Sequence, residues 1–183
     1  WCDWRIATAA SERAHRVYLG LGTNLGDRRA QLAGALERLG GVVEIDAISR
    51  VYESEPVGYR EQPVFWNLVL RGGTDLEPEP LLEATQAIER ELGRRRSFRN
   101  APRPIDIDML LFDDEVRVDG TLQLPHPRML ERGFVLRPLA ELDPELRHPV
   151  TGRTIREELT LARGLERCEP LFAGSELLSS EGG

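Results

Sequence analysis

Residues 105–112 read IDIDMLLF, and their alternation decides the fold. Ile105, Ile107, Met109 and Leu111 fall on one face of an extended chain, with Asp106 and Asp108 on the other. A period of two over this length specifies a half-buried strand. VFWNLVL at 64–70 repeats the pattern, turning Val64, Trp66, Leu68 and Leu70 inward and leaving Phe65 and Asn67 on the open face. Nearer the start, Val17, Leu19 and Leu21 alternate with Tyr18, Gly20 and Gly22 in a first strand, and VVEIDAISRVYESEP at 42–56 is β-rich.

Two helices separate these strands. Asp27 is placed to cap a helix whose Leu32, Ala35, Leu36 and Leu39 share a face, with Gly40-Gly41 as the stop signal. Pro78 to Gly93 carries Leu81, Ala84, Ile88 and Leu92 along a second apolar stripe. The order is therefore β-α-β-β-α-β. That order predicts an α+β, ferredoxin-like fold: an antiparallel sheet with both helices on one face, to which residues 113–165 add a hairpin-like segment and short helices as C-terminal additions. Residues 1–15 read as an N-terminal extension (a processed end, an expression remnant, or the tail of an upstream domain), 16–165 as one domain, and 166–183 as a C-terminal tail whose last ten residues are flexible.

Composition limits the chemistry. The chain of 183 residues has a net charge of -7, which argues against general affinity for nucleic acid or an anionic membrane. No apolar run approaches the ~20 residues that span a bilayer. Cys2 and Cys168 form no metal-ligand spacing, and a reduced, cytoplasmic compartment is the default. All 24 basic residues are arginine, so a P-loop lysine and Schiff-base chemistry are excluded.

The two aspartates of IDIDMLLF lie on one side of a strand, where they can grip one hard cation or two adjacent ones; magnesium suits them because it keeps waters and substrate phosphates. The pair alone equally fits exposed edge-strand carboxylates. Immediately before it stand six arginines, Arg90, Arg94, Arg95, Arg96, Arg99 and Arg103. Guanidinium forks match phosphate oxygens, and with a carboxylate-held metal they make the means of phosphoryl transfer. Phe65 beside Asn67 suits a flat heterocycle, the ring stacking and the amide reading an edge. Gly20 and Gly22 would let a ligand approach the backbone. The glycines of GLGTNLG at 20–26 are explained by a tight turn into a capped helix rather than a phosphate loop.

LGLGTNLGDR at 19–28, YESEPVG at 52–58, FWN at 65–67, APRPIDIDMLLF at 101–112 and LPHPRMLERGF at 124–134, in this order and spacing, resemble the 6-hydroxymethyl-7,8-dihydropterin pyrophosphokinase family. The similarity covers about residues 16–160. It implies transfer of pyrophosphate from ATP to 6-hydroxymethyl-7,8-dihydropterin in folate biosynthesis, with release of AMP, and makes 16–165 the pyrophosphokinase domain. Asp106 and Asp108 then match the ligands of two magnesium ions; Phe65 and Phe134 match an aromatic pair around the pterin. Asn67 matches a hydrogen-bonding group at the pterin edge, with the backbone near Ser54 and Val57 completing the pocket. Gln86, Glu89, Arg96, His126 and Arg132 match the ATP side, and Arg94 and Arg103 the mobile-loop arginines of the transfer step. Fusion to, or association with, other folate-pathway enzymes is a further implication. Asn100-Ala101 stands where the family often has Trp-Gly, and Glu55 replaces a frequent proline, so no role passes to Asn100.

Two other classes use this architecture. A two-metal nucleotidyltransferase would want a third carboxylate and an extended basic track. A non-enzymatic RNA-binding sheet would want several open-face aromatics on a basic domain.

Overall fold

In chain order the structure, a computed structural model describing residues 13–118 and 120–179, runs β1 (His15–Thr23), α1 (Arg28–Leu39), β2 (Glu44–Ile48), β3 (Val51–Ser54), β4 (Phe65–Thr74), α2 (Pro78–Glu91), β5 (Asp106–Phe112), α3 (Gly133–Leu142), α4 (Ile155–Leu161) and β6 (Cys168–Phe172). Most of the extension read at 1–15 lies outside the described residues. The strands form one six-stranded antiparallel sheet in the order β5-β1-β4-β3-β6, with β2 also paired to β4.

The local reasons are those the residues suggest. Asp27 caps α1 by accepting a hydrogen bond from Ala30 N at 3.0 Å, and the chain enters it through Gly26 at φ 66°, where a side chain would be strained. α2 opens on Pro78, whose missing N–H costs nothing in a first turn. Leu32, Ala35, Leu36 and Leu39 of α1 and Leu81 and Ile88 of α2 pack with Val17, Leu19, Leu21, Leu68 and Leu70 in one core on one side of the sheet.

The β-rich stretch 42–56 divides into β2 and β3 at Ser49, whose hydroxyl accepts from Val69 N at 3.0 Å, so that both pieces border β4. The alternation of 105–112 breaks at a bulge: Leu19 opposes Met109 and Tyr18 opposes Leu111, leaving Leu110 as the extra residue. Leu111, expected beside Met109, therefore packs on the opposite face with Tyr18, and Phe112 returns to the helix side. The second face is also less open than expected. α3 covers part of it, packing Val135, Leu136 and Leu139 on Val69, Leu110 and Leu111. Within 166–179 the chain contributes an edge strand, β6, and a 3-10 turn at Gly174–Leu177 whose Leu177 is buried.

Candidate active site

Pairing registers place the site on the second face, beyond the end of α3's cover. Gly22 lies between Asp106 on β5 and Asn67 on β4, and Gly20 between Asp108 and Val69. Directly opposed residues share a face, so two glycines in β1 leave a trough between the carboxylates and the Phe65–Asn67 pair. The trough is the floor of an open cleft walled by Phe65 and Phe134, by Ser54 and Val57, and by Arg103, Arg128 and Arg132. A side chain at 22 would crowd the trough: an added Cβ would lie 2.8 Å from Asn67 Oδ1, and one of the two would have to shift. Asn67 is buried and donates from Nδ2 to Ser54 Oγ at 2.7 Å, which fixes its amide plane.

Across the trough the charges are closely paired. Arg94 Nη1 bridges Glu89 Oε1 and Asp106 Oδ1, both at 2.5 Å, while Arg103 reaches Asp106 Oδ2 at 3.1 Å. Arg132 holds Asp108 Oδ2 at 3.2 Å, and His126 Nε2 stands 3.9 Å from the same oxygen. Glu89, buried under β5, also accepts from Ile107 N at 2.7 Å and so locks α2 to the strand bearing the aspartates. Burial pushes Glu89 up to about 7 despite Arg94. Burial, with the Asp106 carboxylate beside it, raises Asp108 well above the usual carboxylate range. His126 is pushed down to about 4 by burial and by Arg132, so it is neutral at pH 7. Two adjacent carboxylates, one of them penalised as an anion, form a donor set that gains from a hard cation. Among the described residues no group of three or more His, Cys, Asp or Glu is placed to hold a metal, so other ligands to such a cation would be water or substrate oxygens.

The arginine loop is anchored at one buried residue. Asn24 Oδ1 accepts from Arg103 N at 2.9 Å, Asn24 N donates to Arg103 O at 3.3 Å, and its Nδ2 donates to Gln62 Oε1 at 2.8 Å and Pro63 O at 3.0 Å. Gln62 in turn donates to Asn100 O at 2.9 Å, and the Tyr59 and Phe98 rings meet edge-on at 5.5 Å. These contacts tie the loop at 55–64 to the loop at 94–103. Asn100 has φ 60°, a left-handed conformation that asparagine tolerates better than most residues, and its side chain sits against Gly58 at φ 87°.

Ser54, Val57, Phe65, Asn67, Arg103, Asp106, Asp108, Arg132 and Phe134 all line the cleft. Glu89, Arg94 and His126 gather behind or beside the aspartates. Gln86 and Arg96 are exposed and outside the cleft. Sequence reasoning missed Asn24, Gln62 and Arg128, and it gave Asn100 no role. Asn24 had a signal, a polar residue in a tight strand-to-helix turn; Gln62 and Asn100 had none, because their partners lie 38 positions apart.

The sequence profile of the 7,8-dihydro-6-hydroxymethylpterin-pyrophosphokinase (HPPK) family matches residues 18–144. The 2-amino-4-hydroxy-6-hydroxymethyldihydropteridine pyrophosphokinase of Aquifex aeolicus is 43% identical over 141 residues, covering 77% of this chain and 88% of the relative. The folic acid synthesis protein fol1 of Pneumocystis carinii is 41% identical over 76% of this chain, which spans 19% of that longer protein. Among solved structures, the HPPK-DHPS of Plasmodium falciparum aligns with a TM-score of 0.64 at 17% identity, over 80% of this chain and 44% of its own, a likeness of fold.

Proposed function

Because the chain belongs to the 7,8-dihydro-6-hydroxymethylpterin-pyrophosphokinase family, we propose that it transfers the pyrophosphoryl group of ATP to 6-hydroxymethyl-7,8-dihydropterin, releasing AMP, in folate biosynthesis. The observation that carries this reading is the glycine-floored trough, with an aromatic pair and an amide on one side and paired carboxylates under arginines on the other.

In this reading Phe65 and Phe134 sandwich the pterin, and Asn67, held by Ser54, bonds its edge. The backbone at Val57 closes the pocket. The hydroxymethyl oxygen then faces the carboxylates and bonds to the β-phosphorus of ATP; the bond from that phosphorus to the oxygen bridging the α-phosphate breaks, AMP leaves with that oxygen, and the hydroxyl proton is released to solvent. Arg94 and Arg103, now spent on Asp106, turn to the phosphates as charge develops there, while the 94–103 loop keeps water out. Arg132 and neutral His126 border Asp108 on the ATP side, and Glu89 anchors Arg94. Gln86 and Arg96 meet the nucleotide only if it extends past the cleft toward α2.

Asp106 and Asp108 would hold magnesium, two ions by family resemblance, and their adjacency and the raised proton affinity of Asp108 fit that role. When bound, the metal would neutralise phosphate charge. Since three arginine contacts now occupy the two carboxylates, loading requires Arg94 and Arg103 to release Asp106.

The same reading takes 16–165 as the pyrophosphokinase domain between an extension at 1–15 and a tail at 166–183. It takes the sheet as ferredoxin-like, which the order β5-β1-β4-β3 with α1 and α2 on one face supports. It also places the protein in the cytoplasm, without a nucleic-acid or membrane partner; among the described residues no helix is long and apolar enough to cross a membrane. The longer relatives support association with other folate-pathway enzymes. The test is AMP formation from ATP and magnesium, with and without the pterin. Pterin-dependent AMP is expected; AMP formation indifferent to the pterin would refute the assignment.

A further inference from the structure

A segment outside the matched stretch 18–144 grips both walls of the cleft from behind. The Glu166 carboxylate accepts a hydrogen bond from Phe134 N at 2.7 Å, and the next carbonyl, of Arg167, accepts from Glu55 N at 3.3 Å. Phe134 is the second residue of α3, where backbone N–H groups have no partner within the helix. The residue that should cap α3 is Arg132, and its side chain makes no cap bond. Glu166 supplies the missing acceptor from 32 positions away, and its charge sits at the positive end of the helix dipole.

The approach depends on Gly133, where an added Cβ would stand 3.2 Å from both the carbonyl oxygen and Oε1 of Glu166. The capped backbone lies between two groups that face the substrate. On one side Arg132 holds Asp108 at 3.2 Å; on the other, the Phe134 ring lines the cleft. Arg132 also lies over that ring, 5.5 Å from its centre. A tilt at the start of α3 would therefore move the Phe134 wall of the pocket, while Arg132 keeps its own tie to Asp108.

We propose that Glu166 is a positioning residue for the pterin pocket, holding the Phe134 backbone so that the ring meets the face of the bound heterocycle. The inference rests on the pyrophosphokinase reading. Its test is steady-state AMP release by wild type, Glu166→Ala and Glu166→Gln, with KM determined separately for pterin and ATP. Glu166→Ala should raise the pterin KM about 5–20-fold, from loss of a bond to a charged acceptor, with ATP KM within about twofold. Glu166→Gln keeps an acceptor for the Phe134 N–H and should recover most of the loss. Glu166→Asp, which keeps the charge but shortens the reach, should show the same KM split in weaker form and serves where the alanine protein does not fold. A merely structural role would lower the active fraction and leave both KM values alone, and that result would overturn the inference. So would equal rises in both KM values. A wild type that releases no AMP would bring down the pyrophosphokinase reading and this inference together, an outcome distinct from an active wild type with an indifferent Glu166.

Discussion

Gly22→Ala isolates the pterin wall from the phosphate wall. The substitution adds one methyl group in a strand whose backbone accepts alanine, so its effect is steric. The new Cβ would stand 2.8 Å from Asn67 Oδ1, closer than unbonded atoms tolerate, and 4.0 Å from Phe65 Cδ1. Asn67 has little room to yield, being buried and tied through Nδ2 to Ser54 Oγ at 2.7 Å. Either the amide swings and breaks that bond, or β1 and β4 separate locally. Overpacking of this kind costs about 1–3 kcal/mol. Loss of the amide's alignment should therefore weaken pterin binding by roughly 5–160-fold. Asp106 and Asp108 lie on the other neighbour of β1, so ATP binding should change less than about twofold. Pterin affinity by fluorescence titration and ATP affinity by calorimetry, with a melting curve to check folding, measure all three quantities. A folded variant with wild-type pterin affinity would refute the assignment of Asn67 to the pterin edge.

Gly72→Ala should do the opposite, since its Cβ would meet Glu44 O at 2.5 Å and Val43 Cγ1 at 2.6 Å, far from the cleft. Its Tm should fall by about 3–10 °C in a calorimetric scan while both KM values hold. Arg94→Ala removes the guanidinium that bridges Glu89 and Asp106, and should lower kcat about 100-fold in a turnover assay with KM values within about threefold. His148 is buried and held neutral, chiefly by burial, and its Nδ1 accepts from Val150 N and Thr151 N at 3.3 Å. Because its folded pKa lies below the unfolded value near about 6.5, the unfolded chain binds more protons. The stabilisation is thus complete above that value and is lost as pH falls through the folded pKa. In melting curves between about pH 7.5 and 5, the stability of His148→Gln relative to wild type should rise as pH falls, because only the wild type loses the neutral-imidazole contribution.

What could be read beforehand followed from residues whose neighbours are local or periodic. Asp27, Gly40-Gly41 and Pro78 marked the ends of helices, and the alternation at 64–70 and 105–109 placed Asn67, Asp106 and Asp108 on one face. The alternation failed at Leu110 because a bulge has no compositional mark: Leu110, Leu111 and Phe112 are equally apolar whichever side they face. The second face looked open because the short helices after 113 carried no sign of where they dock, yet the Val135, Leu136 and Leu139 stripe of α3 closes over Val69. β6 was hidden by its short length, its charges and Pro170, and it exists because β3 offers it an edge. Glu166 acts through a backbone N–H far along the chain, and such a contact leaves no periodic trace. Gln86 and Arg96 came from resemblance alone, and their exposed positions set them apart from the residues the fold gathers.

The central claim is that two phosphoryl groups move together across the trough from ATP to the pterin. The direct measurement follows ATP labelled at the β-phosphate, with magnesium and pterin, in wild type and in Asp106→Ala. Label should appear in a pterin diphosphate, with unlabelled AMP in equal amount and neither product in the variant. Label retained in ADP, or released as free pyrophosphate with the pterin unchanged, would contradict it.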